Sequence, residues 1–241
     1  MRALRIVCFC VCVCCVAATV HAGDDIWDKA SASWSRKDAE RILNNSPWGR
    51  SVATKEEYVK SADKSSGRGA RDNSNPFERG DLREGDVATV WWWSARTPRR
   101  AFLRVYELSG GKVSKESAEQ FAETKATAYL VSVMGGGSMV ATAGRLEEEQ
   151  LKKAAWLHSP RLDRKIECEA VEVVMVGGKP DRILFKFPTE VDGKPVISDE
   201  DSRVLFRFKL PKSPKESIDE AKQFEASFEP KKMQANGEPD Y

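Results

Sequence analysis

From residue 166 onward, apolar and polar residues alternate in short runs separated by turn-forming residues. Three runs place an apolar side chain at every second position, namely Ile183, Phe185 and Phe187, then Val204, Phe206 and Phe208, then Phe224, Ala226 and Phe228. A period of two is typical of strands that bury one face and expose the other. With the apolar run at 166–176, the pattern predicts a C-terminal antiparallel sheet of about four strands.

The polar positions on or next to the opposite face carry charges of both signs, at Lys186, Arg207, Lys209, Glu225 and Glu229. Pairing between neighbouring strands would bring opposite charges together, each pair worth roughly a few tenths of a kcal/mol. We therefore expect this face of the sheet to meet water. A helical turn is expected at 213–222, between the last two strands.

A different pattern occurs at 87–94, where both faces of a β-prone run are apolar. Trp91 and Trp93 alternate with Trp92, so neither face is polar. This predicts a buried central strand. A second strand is predicted at 128–134. The glycines at 135–137 that follow it fit neither a phosphate loop nor a nucleophile elbow, and we expect a turn there.

Helix signals precede and separate these strands. Ser35 begins the clearest helix, because Asp38 lies three residues later as in a capping box, and residues 44–47 end it. Trp34 and Trp48 bracket this helix and are expected to pack against its ends. Three more helices are predicted, from Thr97-Pro98 to Tyr106, at 114–125 and at 146–157.

These patterns predict an α+β fold, with N-terminal helices, a mixed strand and helix region, and a C-terminal antiparallel sheet. The predicted division is a signal peptide at 1–22, an N-terminal helical segment at 23–59, a flexible loop or linker at 60–86, an α/β region at 87–158 and an antiparallel β region at 159–241. The linker is rich in Ser, Gly and charged residues, too polar to bury much surface. Residues 87–241 are expected to form one domain.

The signal-peptide prediction rests on three parts in order: basic residues Arg2 and Arg5, an apolar run at 6–20, and the sequence Val20-His21-Ala22. Cleavage is expected before Gly23. An uncleaved anchor is the alternative, although the run is shorter than the roughly 20 residues that a membrane span needs. We expect an exported protein, periplasmic or extracellular, with no stable membrane span after cleavage.

Removing residues 1–22 changes the composition of the working chain. The full sequence has 39 basic and 37 acidic side chains and six cysteines. The leader holds two of the basic residues, no acidic ones and all the cysteines but Cys168. The remaining chain is formally neutral, which argues against nucleic acid as a partner. One thiol allows no internal disulfide, and with His158 alone it offers no zinc site of the usual kind.

Candidate catalytic groups are sparse, so we predict no catalytic residue, no metal site and no cofactor. His158 is predicted at a helix end, and Cys168 on a strand as a small core residue. No recognised catalytic motif accompanies either. Carboxylate pairs, at Asp199 with Asp201 and at Glu167 with Glu169, are the remaining possibility for hydrolytic chemistry.

One local concentration of positive charge stands out beside the tryptophan run. Arg96, Arg99, Arg100 and Arg104 gather near the start of the second predicted helix, whose dipole also favours an anion. With Trp91 and Trp93, residues Arg96, Arg99 and Arg100 form the candidate binding site. The alternative is a solvated helix face on which these arginines pair with nearby carboxylates.

The segment from Trp34 to Trp48 also carries a family resemblance. It resembles the W-[ST]-x-K-[DE]-A-E-x-I-L-x-x-S-P-W motif found after the signal peptide in a family of uncharacterised exported proteins of soil bacteria. Trp93 to Arg99, the Leu157 region, and the trio Phe228, Met233 and Gly237 are similar to that family's other landmarks. The resemblance implies export and an α+β architecture, and it assigns no site residue.

Taken together, the sequence favours a non-catalytic extracytoplasmic binding or structural module. Its expected partner is an envelope protein or polymer. The alternative is an envelope hydrolase that uses a carboxylate pair.

Overall fold

The computed structural model describes residues 25–53, 87–135, 138–211 and 213–241. The predicted signal peptide at 1–22, the predicted linker at 60–86 and two of the glycines at 135–137 lie outside these residues. All structural statements below concern the described ranges.

Five α-helices lie in the described ranges: α1 (Arg36–Asn44), α2 (Arg96–Leu108), α3 (Lys115–Glu123), α4 (Ser138–Ala143) and α5 (Glu148–Ala154). Short 3-10 turns occur at Ile26–Asp28, Ser31–Ser33 and Pro230–Lys232. The strands are β1 (Asn45–Ser46), β2 (Gly49–Ala53), β3 (Val87–Trp92), β4 (Tyr129–Gly135), β5 (Ala155–Ser159), β6 (Arg164–Glu167), β7 (Ala170–Val176), β8 (Lys179–Phe187), β9 (Glu190–Val191), β10 (Lys194–Pro195), β11 (Val204–Lys209), β12 (Gln223–Phe228), β13 (Gln234–Ala235) and β14 (Glu238–Pro239).

The strands form two main antiparallel sheets, which confirms the predicted α+β class. The larger sheet has six strands in the order β1-β2-β3-β4-β8-β7, and the smaller has four in the order β12-β11-β5-β6. Two ribbons, β9 with β10 and β13 with β14, complete the pairing. The C-terminal strands therefore do not share one sheet: β7 and β8 extend the sheet that contains the tryptophan strand, whereas β11 and β12 pair beside β5.

The main core lies between the inner faces of these two sheets. The predicted alternation is confirmed, because the nine apolar side chains of the three runs are all 0–1% exposed, namely Ile183, Phe185, Phe187, Val204, Phe206, Phe208, Phe224, Ala226 and Phe228. Aromatic rings join the sheets directly: the ring centroids of Phe185 and Phe206 are 5.7 Å apart and those of Trp92 and Phe228 are 5.1 Å apart. On the wet face, Arg207 pairs with Glu225 at 2.7 Å, as expected from register.

A second core covers the opposite face of the larger sheet. Here α1 and α2 contribute Ile42, Leu43 and Ala101, which pack against Trp91 and Trp93 of the tryptophan run. The larger sheet is thus covered by helices on one face and by the smaller sheet on the other. This explains why the run at 87–94 is apolar on both sides.

Helix α1 forms as predicted from its first turn. The Ser35 hydroxyl accepts a hydrogen bond from the Asp38 amide (3.1 Å), and the Asp38 carboxylate accepts one from the Ser35 amide (3.0 Å). Trp34 and Trp48 are 2% and 0% exposed, so both flanking tryptophans are packed.

One predicted helix is shorter than its pattern indicated. The helix expected at 146–157 ends at Ala154, and the next five residues form β5. Strand β5 lies between β11 and β6 and exchanges hydrogen bonds with both, which outweighs the helix propensity of a segment rich in Leu, Glu, Lys and Ala. His158 therefore lies on a strand, opposite Leu205 and Lys165, and not at a helix end. At 213–222, where a helical turn is predicted, the chain forms turns and bends and no helix.

The helices of the described ranges are too short, or too polar, to cross a bilayer. Cys168 is the one cysteine within those ranges, and its thiol is free and buried.

Candidate functional site

The predicted site tryptophans lie inside the contact between the helices and the larger sheet. Trp91 and Trp93 are 2% and 7% exposed, and their rings stack with centroids 5.3 Å apart. The Trp91 indole N–H donates to the carbonyl of Leu43 at 2.7 Å. The Arg182 guanidinium lies 5.4 Å from the centroid of Trp93 and 4.7 Å from that of Phe102. These rings hold the helical layer onto the sheet.

Arg99, the central arginine of the predicted cluster, is also largely internal. It is 8% exposed, and its guanidinium donates to four backbone carbonyls, those of Ser94, Ala95, Phe121 and Thr124. Burial lowers the pKa of Arg99 from its usual value. The side chain therefore ties the start of α2 to the end of α3.

Arg100 makes a two-pronged ion pair with Glu123, with both N–O distances at 2.6 Å. The bonded carboxylate raises the pKa of Arg100, and the bonded guanidinium lowers the pKa of Glu123. This ion pair matches the alternative interpretation of the arginine cluster, in which the arginines pair with nearby carboxylates.

The positive end of α2 already holds a carboxylate, that of Asp240. The amides of Arg96 and Thr97 donate to its two oxygens at 2.8 and 2.9 Å, and the Arg96 guanidinium lies 3.4 Å away. Asp240 is 4% exposed. The prediction that this helix end attracts an anion is chemically sound, but the anion is part of the same chain.

Beside Asp240 lies a cleft of about 310 Å³ that Arg96, Arg99 and Lys125 line. The structure thus brings Arg96 and Arg99 together along one cleft, places Arg100 next to Glu123, and keeps Trp91 and Trp93 inside. A binding role for these five residues stays a prediction.

A larger groove, of about 540 Å³, surrounds Trp27 on another part of the surface. We call it the Trp27 groove. Its lining residues come from three separate segments, namely Asp25, Trp27, Asp28, Asn45, Ser46, Pro47, Arg50, Glu229, Lys231, Lys232, Gln234 and Gly237. The Trp27 ring packs edge-to-face against buried Trp48, with centroids 5.3 Å apart and planes at 84°. This contact fixes the orientation of the Trp27 ring.

One wall of the Trp27 groove is the C-terminal hairpin, β13 with β14. Asn236 and Gly237 form its tight turn with φ values of 53° and 76°, angles that suit Asn and Gly. The Asn236 amide donates to the Asp28 carboxylate at 2.7 Å. At the other end of the hairpin, the carbonyl of Asp240 accepts the indole N–H of Trp48. The hairpin also lines the 310 Å³ cleft through Glu238 and Asp240, so it separates the two depressions.

Charges of the Trp27 groove balance. Asp25, Asp28 and Glu229 face Arg50, Lys231 and Lys232, three acids against three bases. Two of these neutralise each other directly, since Glu229 and Lys232 form an ion pair at 2.8 Å.

Arg50 anchors the groove floor. Its guanidinium donates to the carbonyls of Ser46, Gly49 and Ser227. Burial lowers the pKa of this guanidinium from its usual value. Arg50 thereby joins the turn between β1 and β2 to strand β12 of the other sheet.

Trp27 differs from the tryptophans of the core in its exposure. The indole N–H groups of Trp34, Trp48 and Trp91 donate to backbone carbonyls, whereas that of buried Trp92 has no hydrogen-bond partner among the described residues. Trp27 is only partly buried, and within the described ranges its N–H has no protein acceptor. A partly exposed indole that lines a groove can contact a ligand both through its apolar ring and through its N–H group.

Comparison with known proteins gives no family. No family model, no curated protein and no solved structure matches the chain.

Sequence reasoning did not single out Trp27. A signal was present, because this tryptophan lies among acidic residues, in Asp25-Ile26-Trp27-Asp28, directly after the predicted cleavage site. Pro47 and Trp48 belong to the recognised motif, but the opposite wall comes from residues 229–237. No local pattern links segments so far apart.

The candidate catalytic groups Cys168 and Asp201 are buried, and each is held by hydrogen bonds within the fold. Burial raises the pKa of Cys168 to about 11, and its thiol donates to the carbonyl of Ala170 at 3.1 Å. Asp201 is 5% exposed and accepts from the Ser198 amide (2.8 Å) and from Arg161 (2.9 Å), which fixes a turn. Among the residues described, no three His, Cys, Asp or Glu side chains gather to hold a metal ion.

Proposed function

We propose that the chain is an exported, non-catalytic binding module that holds an envelope polymer or protein in the Trp27 groove. One observation carries the proposal: the partly exposed Trp27 lines a groove of about 540 Å³. Export is supported by the three-part leader at 1–22 and by the family resemblance.

The groove has the size and the stiffness that binding requires. Its volume falls within the roughly 300–1,000 Å³ of small-molecule sites. Trp48 holds the ring from below, Arg50 ties the floor to β12, and the hairpin wall is anchored at Asp28. A ligand therefore meets a surface that loses little freedom on binding.

The binding proposal is tested with immobilised chain lacking residues 1–22 and an envelope extract. We expect Trp27→Ala to abolish capture of the retained component. Trp156→Ala is the matched control, because Trp156 is also partly exposed but lies on β5 under Lys165, 5.2 Å from its ring. Equal capture by the two variants would exclude the Trp27 groove as the binding site.

The export proposal has a separate test. The mass of the native protein, purified from fractionated cells, should correspond to a chain that begins at Gly23 and should be found outside the cytoplasm. An intact leader on a cytoplasmic protein would contradict it.

A further inference from the structure

We infer that the ligand of the Trp27 groove is a neutral oligosaccharide, with one sugar ring packed on the Trp27 indole. This inference rests on the proposed function, because it names the chemical class that the same groove receives. Four properties of the groove support it: its charge balance, its aromatic surface, its amide groups and its size.

The charge balance argues against an ionic ligand. The lining holds three carboxylates and three basic side chains, and Glu229 and Lys232 already form an ion pair with each other. A site selective for anions or cations concentrates charge of one sign, which steers and holds the ion. The positive end of α2, the position in this fold best suited to an anion, is filled by Asp240. A ligand without net charge fits the Trp27 groove better.

The aromatic surface suits the apolar face of a sugar ring. Pyranose rings expose C–H groups on one face, and these pack favourably against an indole. Apart from Trp27, the groove offers mainly Pro47 as apolar surface, which is too little to bury a lipid chain or a cluster of apolar side chains. One ring-sized apolar contact within a polar groove is what a sugar requires.

The polar lining matches hydroxyl groups. A hydroxyl both donates and accepts hydrogen bonds, and so does a side-chain amide. Asn45 and Gln234 contribute side-chain amides from two different segments of the lining, Asp25 adds an acceptor, and the Trp27 N–H adds a donor. Arg50, whose guanidinium is hydrogen-bonded to backbone carbonyls, also lines the groove. The groove thus mixes donors and acceptors, as hydroxyl recognition needs.

Size favours a short chain of sugars over a single one. A groove of about 540 Å³ is in the middle of the range for small-molecule sites, and one monosaccharide would leave much of it to water. Several neighbouring rings would extend from Trp27 past Asn45 and Gln234. This gives the polymer of the proposed function a chemical identity.

The test is a binding titration of the leader-free chain by calorimetry. The probes are cellotetraose, tetra-N-acetylchitotetraose and a panel of other neutral tetrasaccharides, with tetraglutamate and tetralysine as charged comparisons. We expect a neutral tetrasaccharide to bind, Trp27→Ala to weaken it at least about tenfold, a typical loss for an aromatic contact residue, and Trp156→Ala to leave it unchanged. Binding should also be the same at about 0.05 and about 0.5 M NaCl, because a neutral ligand gains nothing from screened charges.

Two further variants keep the test decisive if Trp27→Ala lowers folding stability. Trp27→Phe retains an aromatic surface without the N–H and should bind with intermediate affinity. Asn45→Ala combined with Gln234→Ala removes both amides at solvent-facing positions and should weaken binding while the urea midpoint stays unchanged.

The outcomes separate the inference from the proposed function. If extract capture depends on Trp27 but only the charged peptides bind, or no neutral glycan binds, the sugar class is wrong and the binding function stands. If neither capture nor tetrasaccharide binding depends on Trp27, both fail. Release of reducing ends from a bound tetrasaccharide would keep the ligand class but assign the alternative function, hydrolysis.

Discussion

Asp240 joins three separate parts of the molecule through one residue. Its carboxylate accepts the first amides of α2, its carbonyl accepts the indole N–H of Trp48, and its amide donates to Met233 at 2.9 Å. The side chain thereby serves as a helix cap supplied from a distant part of the sequence. Because it is 4% exposed, water cannot easily replace it.

Replacing Asp240 by Ala should therefore destabilise the whole fold. The change leaves two buried amides of α2 without acceptors and Arg96 without its partner, for an expected loss of about 2 kcal/mol. The measurement is the urea midpoint, with an unchanged m-value. Asp219→Asn is the control, because Asp219 is exposed, and it should leave the midpoint in place. Equal midpoints for the two variants would exclude the capping role.

Cys168 should be chemically inert in the native protein. With a pKa raised to about 11 by burial, roughly one thiol in a thousand is ionised at pH 8, and the thiolate is the reactive form. For the chain lacking residues 1–22, we expect negligible reaction with a disulfide reagent such as DTNB at pH 8, and full reaction of its one thiol in urea. Rapid labelling of the folded chain would contradict this environment.

The two caps show what the sequence reveals at the scale of residues. The Ser35–Asp38 box spans three residues, so its spacing alone predicts it. The Asp240 cap spans 144 residues to Arg96, and no spacing rule relates such positions. The sequence revealed the arginine cluster, but it did not reveal that Asp240 and Glu123 are the carboxylates that Arg96 and Arg100 contact. Trp27 was missed for the same reason, since its groove is completed only by residues 229–237.

At the scale of elements, the turn from α1 into β2 depends on the absence of a side chain at Gly49. A Cβ atom there would lie 2.0 Å from the carbonyl oxygen of Leu43. That oxygen also accepts the Trp91 indole N–H. The backbones of α1 and β2 thus approach so closely that only glycine fits.

Gly49→Ala should accordingly cost about 3 kcal/mol or more, the upper range for overpacked positions. Gly111→Ala provides the comparison: its Cβ would also clash, at 2.3 Å, but with the ring of Tyr106. That ring is 45% exposed and can turn away into solvent. Thermal unfolding should show a large loss for the first variant and a small one for the second. A similar loss in both would mean that backbone approach at Gly49 is not limiting.

The sequence predicts an element correctly where the pattern is local. It does not do so where pairing with a distant strand determines the structure. The alternation around Phe185, Phe206 and Phe228 predicted strand and buried face correctly. It did not reveal that β8 and β11 belong to different sheets. A strand shows the same alternation whichever of the two sheets it joins, because each sheet buries one of its faces in the core between them. The first residues of β5 were predicted as the end of a helix because the preceding residues favour helix locally, whereas the strands that pair with β5, β6 and β11, both come later in the sequence.

At the scale of the whole molecule, titrating groups set the pH range of stability. Bonded partners lower the pKa of several carboxyl groups below their usual values, those of Asp38, Glu123, Glu149 and Glu220. Their contribution is present above about pH 4–5 and is lost as pH falls. Burial raises the pKa of Cys168 to about 11 and of Tyr129 to about 12, so their contribution is present below pH 9–10 and is lost as pH rises.

We therefore expect the urea midpoint to be highest between about pH 5 and 9 and to fall on both sides. Tyr129→Phe should flatten the alkaline decline, and Glu123→Gln the acid decline, each without changing the other. A midpoint that still rises between pH 10 and 12 in the wild-type chain would contradict the buried, neutral state of Tyr129.

The hydrogen bond between Trp48 and Asp240 has a consequence for biosynthesis. Its two residues are 192 positions apart, so at the roughly 5–20 residues per second of translation the acceptor leaves the ribosome some 10–40 s after the donor. During that interval the nascent polypeptide lacks both the partner of Trp48 and the carboxylate that caps α2. If export as proposed takes place during synthesis, these two contacts can form only after Asp240 has also crossed the membrane.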